Sequence, residues 1–130
     1  MARRIKIIFS AKGRPASGWE VKAELNNTKT AEAIYKVLPI NAEANTWGEE
    51  IYFEIPVEPV EEPDREEVEI GDLGYWPPGN AFCIFFGKTP VSTSDKPKAA
   101  SKVTVVGRVV GDFRPLAQVA DGEKVRIEKN

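Results

Sequence analysis

The sequence lacks histidine altogether, and its 130 residues include one cysteine and one glutamine. Without histidine the chain cannot form a Ser-His or Cys-His catalytic dyad, a histidine general base or a zinc site with histidine ligands. A single cysteine, Cys83, excludes an internal disulfide. Because its neighbours are alanine, isoleucine and phenylalanine, we expect Cys83 to be buried as a small apolar residue rather than exposed as a nucleophile.

The sequence also lacks an excess of charge of one sign and any long apolar run. Eighteen basic and 20 acidic residues leave a formal net charge of -2, which provides no global attraction to nucleic acid or to an anionic membrane. Arg3, Arg4 and Lys6 form a basic cluster, but the alternation with isoleucines predicts the polar face of a strand. We therefore expect neither a nucleic-acid partner nor a membrane partner.

Localisation follows from similar absences. No apolar run approaches the roughly 20 residues that span a bilayer, and the first ten residues are too short and too charged for a signal peptide. These observations predict a cytoplasmic protein. Abundant glutamate and lysine, with Gln118 as the single glutamine, indicate a thermophilic source.

Length and periodicity predict a single, mainly β domain spanning residues 1–130. Ile5, Ile7 and Phe9 alternate with polar residues, and a second alternating run begins at Trp19 after the turn-rich segment 12–17, which predicts a hairpin. Apolar residues at helical spacing predict one short helix at 28–38, with an Asn27 or Thr28 N-cap and Pro39 at its end. Further strands are predicted at 42–47, 50–57, 72–76, 81–86, 103–110 and 124–129.

Two segments stand out in this pattern. Segment 58–69 has seven acidic residues, one arginine and two prolines, which is typical of a solvated loop. A cation site or a docking surface for a basic partner is the alternative. Strand 81–86 is apolar on both faces, so the helix or segment 91–101 must cover its outer face. A groove beside that cover is a natural place for a ligand.

Aromatic residues are the first candidates for binding. Trp47 precedes Gly48, and the Tyr75-Trp76 pair precedes Pro77-Pro78-Gly79, so these rings lie where strands end and loops begin. Such rings can line an apolar groove, although they can equally cover the ends of a barrel. The Tyr52 hydroxyl is expected on the outer surface beside Glu50, because the flanking residues face the core.

Charged residues supply the remaining candidates. Glu50 and Glu54 share a strand face, where they are either solvating groups or an acid/base pair. Arg108 lies in an otherwise apolar strand and needs an acceptor. It either forms a structural ion pair with Asp72 or Glu50, or binds a carboxylate or carbonyl group in a groove. No glycine spacing matches a phosphate-binding loop.

Three strings carry a resemblance to a known family. They are Trp-Gly-Glu-Glu-Ile-Tyr-Phe at 47–53, the run from Asp72 to Pro90 that contains Tyr-Trp-Pro-Pro-Gly and Phe-Phe-Gly-Lys-Thr-Pro, and Val-Val-Gly-Arg-Val-Val-Gly-Asp at 105–112. Together they resemble small prokaryotic proteins with a cyclophilin-like barrel and no settled activity. The resemblance implies a closed β-barrel with one main short helix, and it places any site in a groove on the outer surface, where cyclophilins bind prolyl peptides.

The sequence departs from true cyclophilins in the residues that matter for catalysis. Their Phe-His-Arg signature is missing, and Gly71-Asp72 is the only fragment similar to their Gln-Gly-Gly-Asp-Phe stretch. No arginine maps by motif onto the cyclophilin arginine that contacts the substrate carbonyl, so Arg108 is a candidate on chemical grounds alone.

Two functions follow from these expectations. The first is a binding domain that holds a peptide segment or a small anionic ligand in an outer-face groove; the second is a weak or degenerate peptidyl-prolyl isomerase. The predicted ligand-binding residues are Trp47, Glu50, Tyr52, Tyr75, Trp76 and Arg108. No catalytic residue, metal or cofactor is predicted, and the ligand and the oligomeric state are left open.

Overall fold

The computed structural model describes residues 3–10 and 19–130, so the predicted turn at 12–17 lies outside the described residues. Within these ranges the chain forms ten strands and one α-helix. The elements are β1 (Arg3–Ser10), β2 (Trp19–Leu25), α1 (Lys29–Lys36), β3 (Ile40–Glu43), β4 (Asn45–Thr46), β5 (Glu50–Glu54), β6 (Arg65–Glu67), β7 (Asp72–Trp76), β8 (Ala81–Phe85), β9 (Lys98–Val110) and β10 (Lys124–Lys129). Short 3-10 helices lie at Pro77–Gly79 and Arg114–Gln118.

The strands form one antiparallel sheet in the order β3-β10-β1-β2-β9-β7-β8-β5-β4, and β6 pairs with β9 beside it. β1 pairs with both β2 and β10, so the predicted hairpin of the first two strands is confirmed. Opposite residues share a face of the sheet, as Ile7 and Val21 do between β1 and β2. The mainly β class with one α-helix is therefore confirmed.

The prediction of a closed barrel is not confirmed, because hydrogen bonds do not close the sheet. Its two ends are β3 and β4, which are consecutive in the chain, and no ladder joins them within the described residues. Ala44 divides the strand predicted at 42–47. Its N–H donates to the carbonyl of Glu123 at 2.8 Å, and its own carbonyl accepts from the N–H of Gly122 at 2.8 Å. These bonds to the turn at 120–123 interrupt the strand at Ala44.

Helix α1 is shorter than the predicted segment 28–38. Thr28 is the N-cap, and its hydroxyl oxygen accepts from the N–H of Ala31 at 3.1 Å. The helix ends at Lys36, because Val37 leaves helical geometry with φ -100° and ψ 3°. The apolar side of α1 buries Ala31 and Ile34 in the main core.

Apolar residues form two separate buried clusters on the two faces of β8. Phe82 and Ile84 belong to the main core, which also contains Ile7, Val21 and Phe53. Cys83 is buried, as predicted, but it lies on the opposite face in a second cluster. That outer cluster consists of Val68, Ala81, Cys83, Phe85, Ala99 and Val103.

Strand β9 provides the cover for the outer face of β8. It starts at Lys98, five residues before the predicted strand 103–110. Its first half pairs with β6, so the predicted solvated segment 58–69 contains a short strand. Ala99 and Val103 on this half of β9 pack against β8. The sequence left two candidates for this cover, the helix and segment 91–101. Segment 91–101 provides it through Ala99, whereas α1 packs in the main core.

Candidate functional site

A cavity of about 280 Å³ opens on the outer face of the sheet, beside the outer cluster. It is enclosed by side chains from β5, β7, β8, β9 and the turn before β5. The lining residues are Trp47, Glu50, Tyr52, Trp76, Cys83, Ala99, Ala100 and Val103. Four of the six predicted ligand-binding residues are therefore brought together here: Trp47, Glu50, Tyr52 and Trp76.

A tight turn places Trp47 beside Glu50. The N–H of Trp47 donates to the Glu50 carbonyl at 2.9 Å, and the N–H of Glu50 donates back to the Trp47 carbonyl at 3.2 Å. Gly48 has a φ of 60°, a left-handed conformation that glycine adopts without steric cost and that two-residue hairpins need. A Cβ at this position would lie 2.9 Å from the carbonyl oxygen of Lys88. The turn therefore depends on glycine.

Trp76, at the end of β7, forms another wall of the cavity. Its indole Nε1–H donates to the Ser101 hydroxyl at 2.7 Å, which holds the ring against β9. Gly79 follows in the short 3-10 helix, and a Cβ there would lie 3.1 Å from the Trp76 ring. These contacts restrict the orientation of the ring, so this wall is formed before a ligand arrives.

Glu50 is the one carboxylate in the lining, and the structure corrects its predicted position. The sequence places it on an exposed strand face, but only 6% of its surface is accessible, because β9 covers this face. Burial raises the pKa of Glu50 from 4.5 to about 7, although the nearby Cys83 thiol partly offsets the effect. Its Oε1 atom has no hydrogen-bond partner among the described residues.

Cys83 and Tyr52 are the other titratable groups that line the cavity. Burial, followed by the nearby Glu50, raises the pKa of the Cys83 thiol well above its usual range, so the thiol stays protonated, and it donates to the carbonyl of Ala81 at 3.9 Å. Tyr52 lies opposite Cys83 in the β5–β8 register and is half-buried. Glu54 is exposed and outside the lining, so Glu50 and Glu54 have different environments although they share a face.

Tyr75 does not reach the cavity. Only 1% of its surface is accessible, it packs in the main core, and its hydroxyl donates to the carbonyl of Val57. Because successive residues of a strand face opposite sides of a sheet, Tyr75 and Trp76 point to different faces. The sequence shows both rings at the end of one strand, and alternation along β7 is what separates them.

Arg108 lies in a different cleft, which Glu24, Asp72 and Gly107 also line. It is exposed and faces Asp72 in the β7–β9 register. Burial raises the pKa of Asp72, and the charges of Arg65 and Arg108 partly offset this increase. Asp72 and Trp76 are at opposite ends of β7, about 13 Å apart at roughly 3.3 Å per residue. Arg108 therefore lies opposite Asp72 in the sheet and away from Glu50, which lines the other cavity.

Sequence reasoning missed the wall that β9 contributes. Ala99, Ala100 and Val103 line the cavity, yet the Ala-Ala-Ser stretch at 99–101 shows no apolar alternation. The small side chains were the available signal, because small residues permit close approach of a strand to a packed surface. Cys83 was predicted as buried but not as part of a cavity wall.

The described residues offer neither a metal-binding cluster nor a membrane-spanning helix. Residues 3–10 and 19–130 contain no group of three or more cysteine, aspartate and glutamate side chains placed to hold a metal ion. No helix in the same ranges is both long enough and apolar enough to cross a membrane.

Comparison with known proteins identifies the family. The sequence profile of the family described as Cyclophilin-like matches residues 3–128. The solution structure of the hypothetical protein AF2241 from Archaeoglobus fulgidus is similar with a TM-score of 0.78 and 43% identity, covering 99% of this chain and 95% of that one. A search of curated proteins found no match. The chain therefore belongs to the Cyclophilin-like family.

Proposed function

We propose that this protein is a binding domain that holds its ligand in the outer-face cavity. The cavity itself carries the proposal: three aromatic residues, small apolar side chains and one unpaired carboxylate oxygen surround about 280 Å³. Ligand sites are typically concave and mostly apolar, with few polar groups and a volume of roughly 300 to 1,000 Å³. This cavity has that character and lies near the lower limit of size, so it suits one side chain of a peptide segment or a small molecule.

The charge of the lining argues against the anionic ligand that the sequence left open. The eight lining residues include no lysine or arginine, and the single carboxylate among them, Glu50, would repel an anion when it is ionised. Arg108, the expected partner of an anion, belongs to the other cleft. A peptide segment or a small neutral or cationic molecule is the better candidate.

The alternative, weak peptidyl-prolyl isomerase activity, has less support. In cyclophilins an arginine contacts the substrate carbonyl beside an aromatic pocket for the proline ring. Here the aromatic cavity has no arginine in its lining. A cavity can keep affinity for a ligand without the group that stabilises a transition state.

Fragment binding monitored by NMR tests the binding proposal. We expect aromatic and aliphatic fragments at millimolar concentration to shift the indole N–H resonances of Trp47 and Trp76, assigned with Trp47→Phe and Trp76→Phe. Ala100→Trp places a large ring in the cavity lining at an exposed position and should abolish these shifts.

The matched control for Ala100→Trp is Ala117→Trp, which adds the same ring at another exposed alanine outside the lining. It should bind fragments as the wild-type protein does. Fragments that leave both indoles unchanged, or that bind equally well to Ala100→Trp, would contradict a ligand site in this cavity.

A further inference from the structure

We propose that the cavity binds an alkylammonium group of the kind that a lysine side chain carries, with Glu50 as its counter-charge and the rings of Trp47, Tyr52 and Trp76 around it. This inference rests on the proposed function, because it names the chemical class of ligand that the same cavity takes. It follows from the unpaired state of Glu50, the chemistry of the aromatic walls and the charge of the remaining lining.

The unpaired carboxylate oxygen points to a ligand that donates hydrogen bonds. Nearly all buried polar atoms in folded proteins have a hydrogen-bond partner. Glu50 lines the cavity, and its buried Oε1 atom has none among the described residues. The nearby Cys83 thiol is a weak donor, and it donates to the Ala81 carbonyl at 3.9 Å, so a ligand in the cavity can supply the missing donor. An ammonium group supplies both the donor and the charge.

The aromatic residues favour a cation over a neutral donor. A cation near the face of a tryptophan or tyrosine ring is attracted by the negative charge of that face, and aromatic cages use this attraction to bind quaternary and methylated ammonium groups. Trp47 and Trp76 come from different elements, and Tyr52 lies on the strand of Glu50. No lysine or arginine of the lining competes for the carboxylate or the rings.

The remaining walls fit the stem of such a ligand. Ala99, Ala100 and Val103 give β9 an uncharged, apolar surface in the cavity. A volume of about 280 Å³ corresponds to roughly nine water molecules at their share of liquid volume, about 30 Å³ each. This space accommodates an ammonium head with several methylene groups, but not a folded peptide.

Protonation of Glu50 should regulate the binding. In the lining, the neighbours of Glu50 with ionisable side chains are Tyr52 on β5 and Cys83 on β8. Glu49 on the preceding turn and Lys102 on β9 are exposed and lie outside the lining. The β9 residues that do line the cavity carry no charge. With a pKa of about 7, the ionised fraction rises about tenfold from roughly pH 6 to roughly pH 8. Affinity for a permanently charged ammonium ligand should rise by a similar factor.

Matched probes test the charge preference directly. Choline is compared with 3,3-dimethylbutanol, its uncharged carbon analogue. Nα-acetyl-lysine methylamide, which has a charged side chain, is compared with the same compound acetylated on the side-chain nitrogen as well, which is neutral. Dissociation constants are measured from the tryptophan indole resonances. We expect each cation to bind about tenfold more tightly than its neutral partner at neutral pH or above. The two pairs distinguish a quaternary ammonium, which has no N–H donor, from the primary ammonium of a lysine side chain.

Variants at two glutamates on the same strand provide the controls. Glu50→Gln should remove the preference for the cation and its pH dependence, whereas Glu54→Gln, at an exposed position outside the lining, should retain both. Circular dichroism checks that each variant is folded. A measurement on the wild-type protein needs no variant: saturation with choline should lower the pKa of Glu50, observed by NMR of its side-chain carboxyl carbon.

The outcomes separate this inference from the proposed function. If neutral probes bind as tightly as cations, or if no ammonium probe binds at millimolar concentration, the ammonium inference is wrong. The fragment experiment then still decides whether the cavity binds ligands at all. Retained cation preference in folded Glu50→Gln would likewise overturn the role of Glu50.

Discussion

Glu50 is a residue at which the requirements of folding and binding oppose each other. A pKa raised from 4.5 to about 7 by burial means that the folded state holds the proton more tightly than the unfolded state does. Stability is therefore complete below about pH 4.5 and decreases as pH rises towards 7. At 1.36 kcal/mol per pKa unit, the loss is about 3 kcal/mol. A cost of this size is consistent with a site whose ligand supplies the missing partner.

We predict that Glu50→Gln removes this pH dependence. The amide cannot ionise, so the stability of the variant relative to the wild-type protein should rise by about 2 to 3 kcal/mol between roughly pH 5 and roughly pH 8. Urea unfolding at the two pH values measures the difference. Glu54→Gln is the matched control and should show no such change. Parallel stability profiles for Glu50→Gln and the wild-type protein would show that burial of Glu50 does not shift its ionisation.

At the scale of elements, the turn before β5 connects backbone conformation with the cavity. Gly48 and Gly111 both have positive φ values, 60° and 91°. A Cβ at Gly48 would lie 2.9 Å from both the Lys88 carbonyl oxygen and Pro90 Cδ, whereas a Cβ at Gly111 would have nothing within 4 Å. Substitutions at Gly48 and Gly111 therefore distinguish the cost of backbone strain, which both would have, from the cost of steric overlap, which only Gly48 would have.

We predict that Gly48→Ala destabilises the protein by about 2 to 4 kcal/mol and Gly111→Ala by about 1 kcal/mol, because only the first adds overlap to strain. Urea unfolding measures both costs. Gly48→Ala should also shift the Trp47 indole resonance, since the turn positions that ring, and Gly111→Ala should leave it unchanged. Equal costs for the two variants would contradict the close packing of the turn against segment 88–90.

The elements also show where sequence-based prediction succeeds. Strands β2, β7 and β10 follow from alternation, and the start of α1 follows from a capping residue, because these signals are local. The first half of β9 has no such signal. Ala99 is buried through contact with β8, some 15 positions earlier in the chain, and that contact also buries Glu50. The wrong prediction that Glu50 is exposed and the failure to predict the β9 wall therefore have the same cause, the non-local packing of the first half of β9 against β8.

At the scale of the whole molecule, the sheet separates the predicted site residues into three places. Trp47, Glu50, Tyr52 and Trp76 share the outer cavity, Tyr75 is in the main core, and Arg108 lies in the other cleft. The predicted group was chosen by residue chemistry and position at strand ends. Which face each residue occupies depends on strand alternation and register, and which cleft it reaches depends on the path of β9.

This separation leads to a prediction about catalysis. Prolyl isomerisation has an uncatalysed barrier of about 18 to 20 kcal/mol, and in cyclophilins an arginine beside the proline pocket assists the rotation. Here Arg108 faces Asp72, which lies about 13 Å from Trp76 along β7, and the cavity lining contains no arginine. We therefore expect a tetrapeptide assay, run at several temperatures, to show very weak or undetectable acceleration.

Arg108→Ala should behave as the wild-type protein does, and Trp76→Phe serves as the variant inside the cavity. Strong acceleration that Arg108→Ala abolishes would make the isomerase the primary function and would require the two clefts to act as one site.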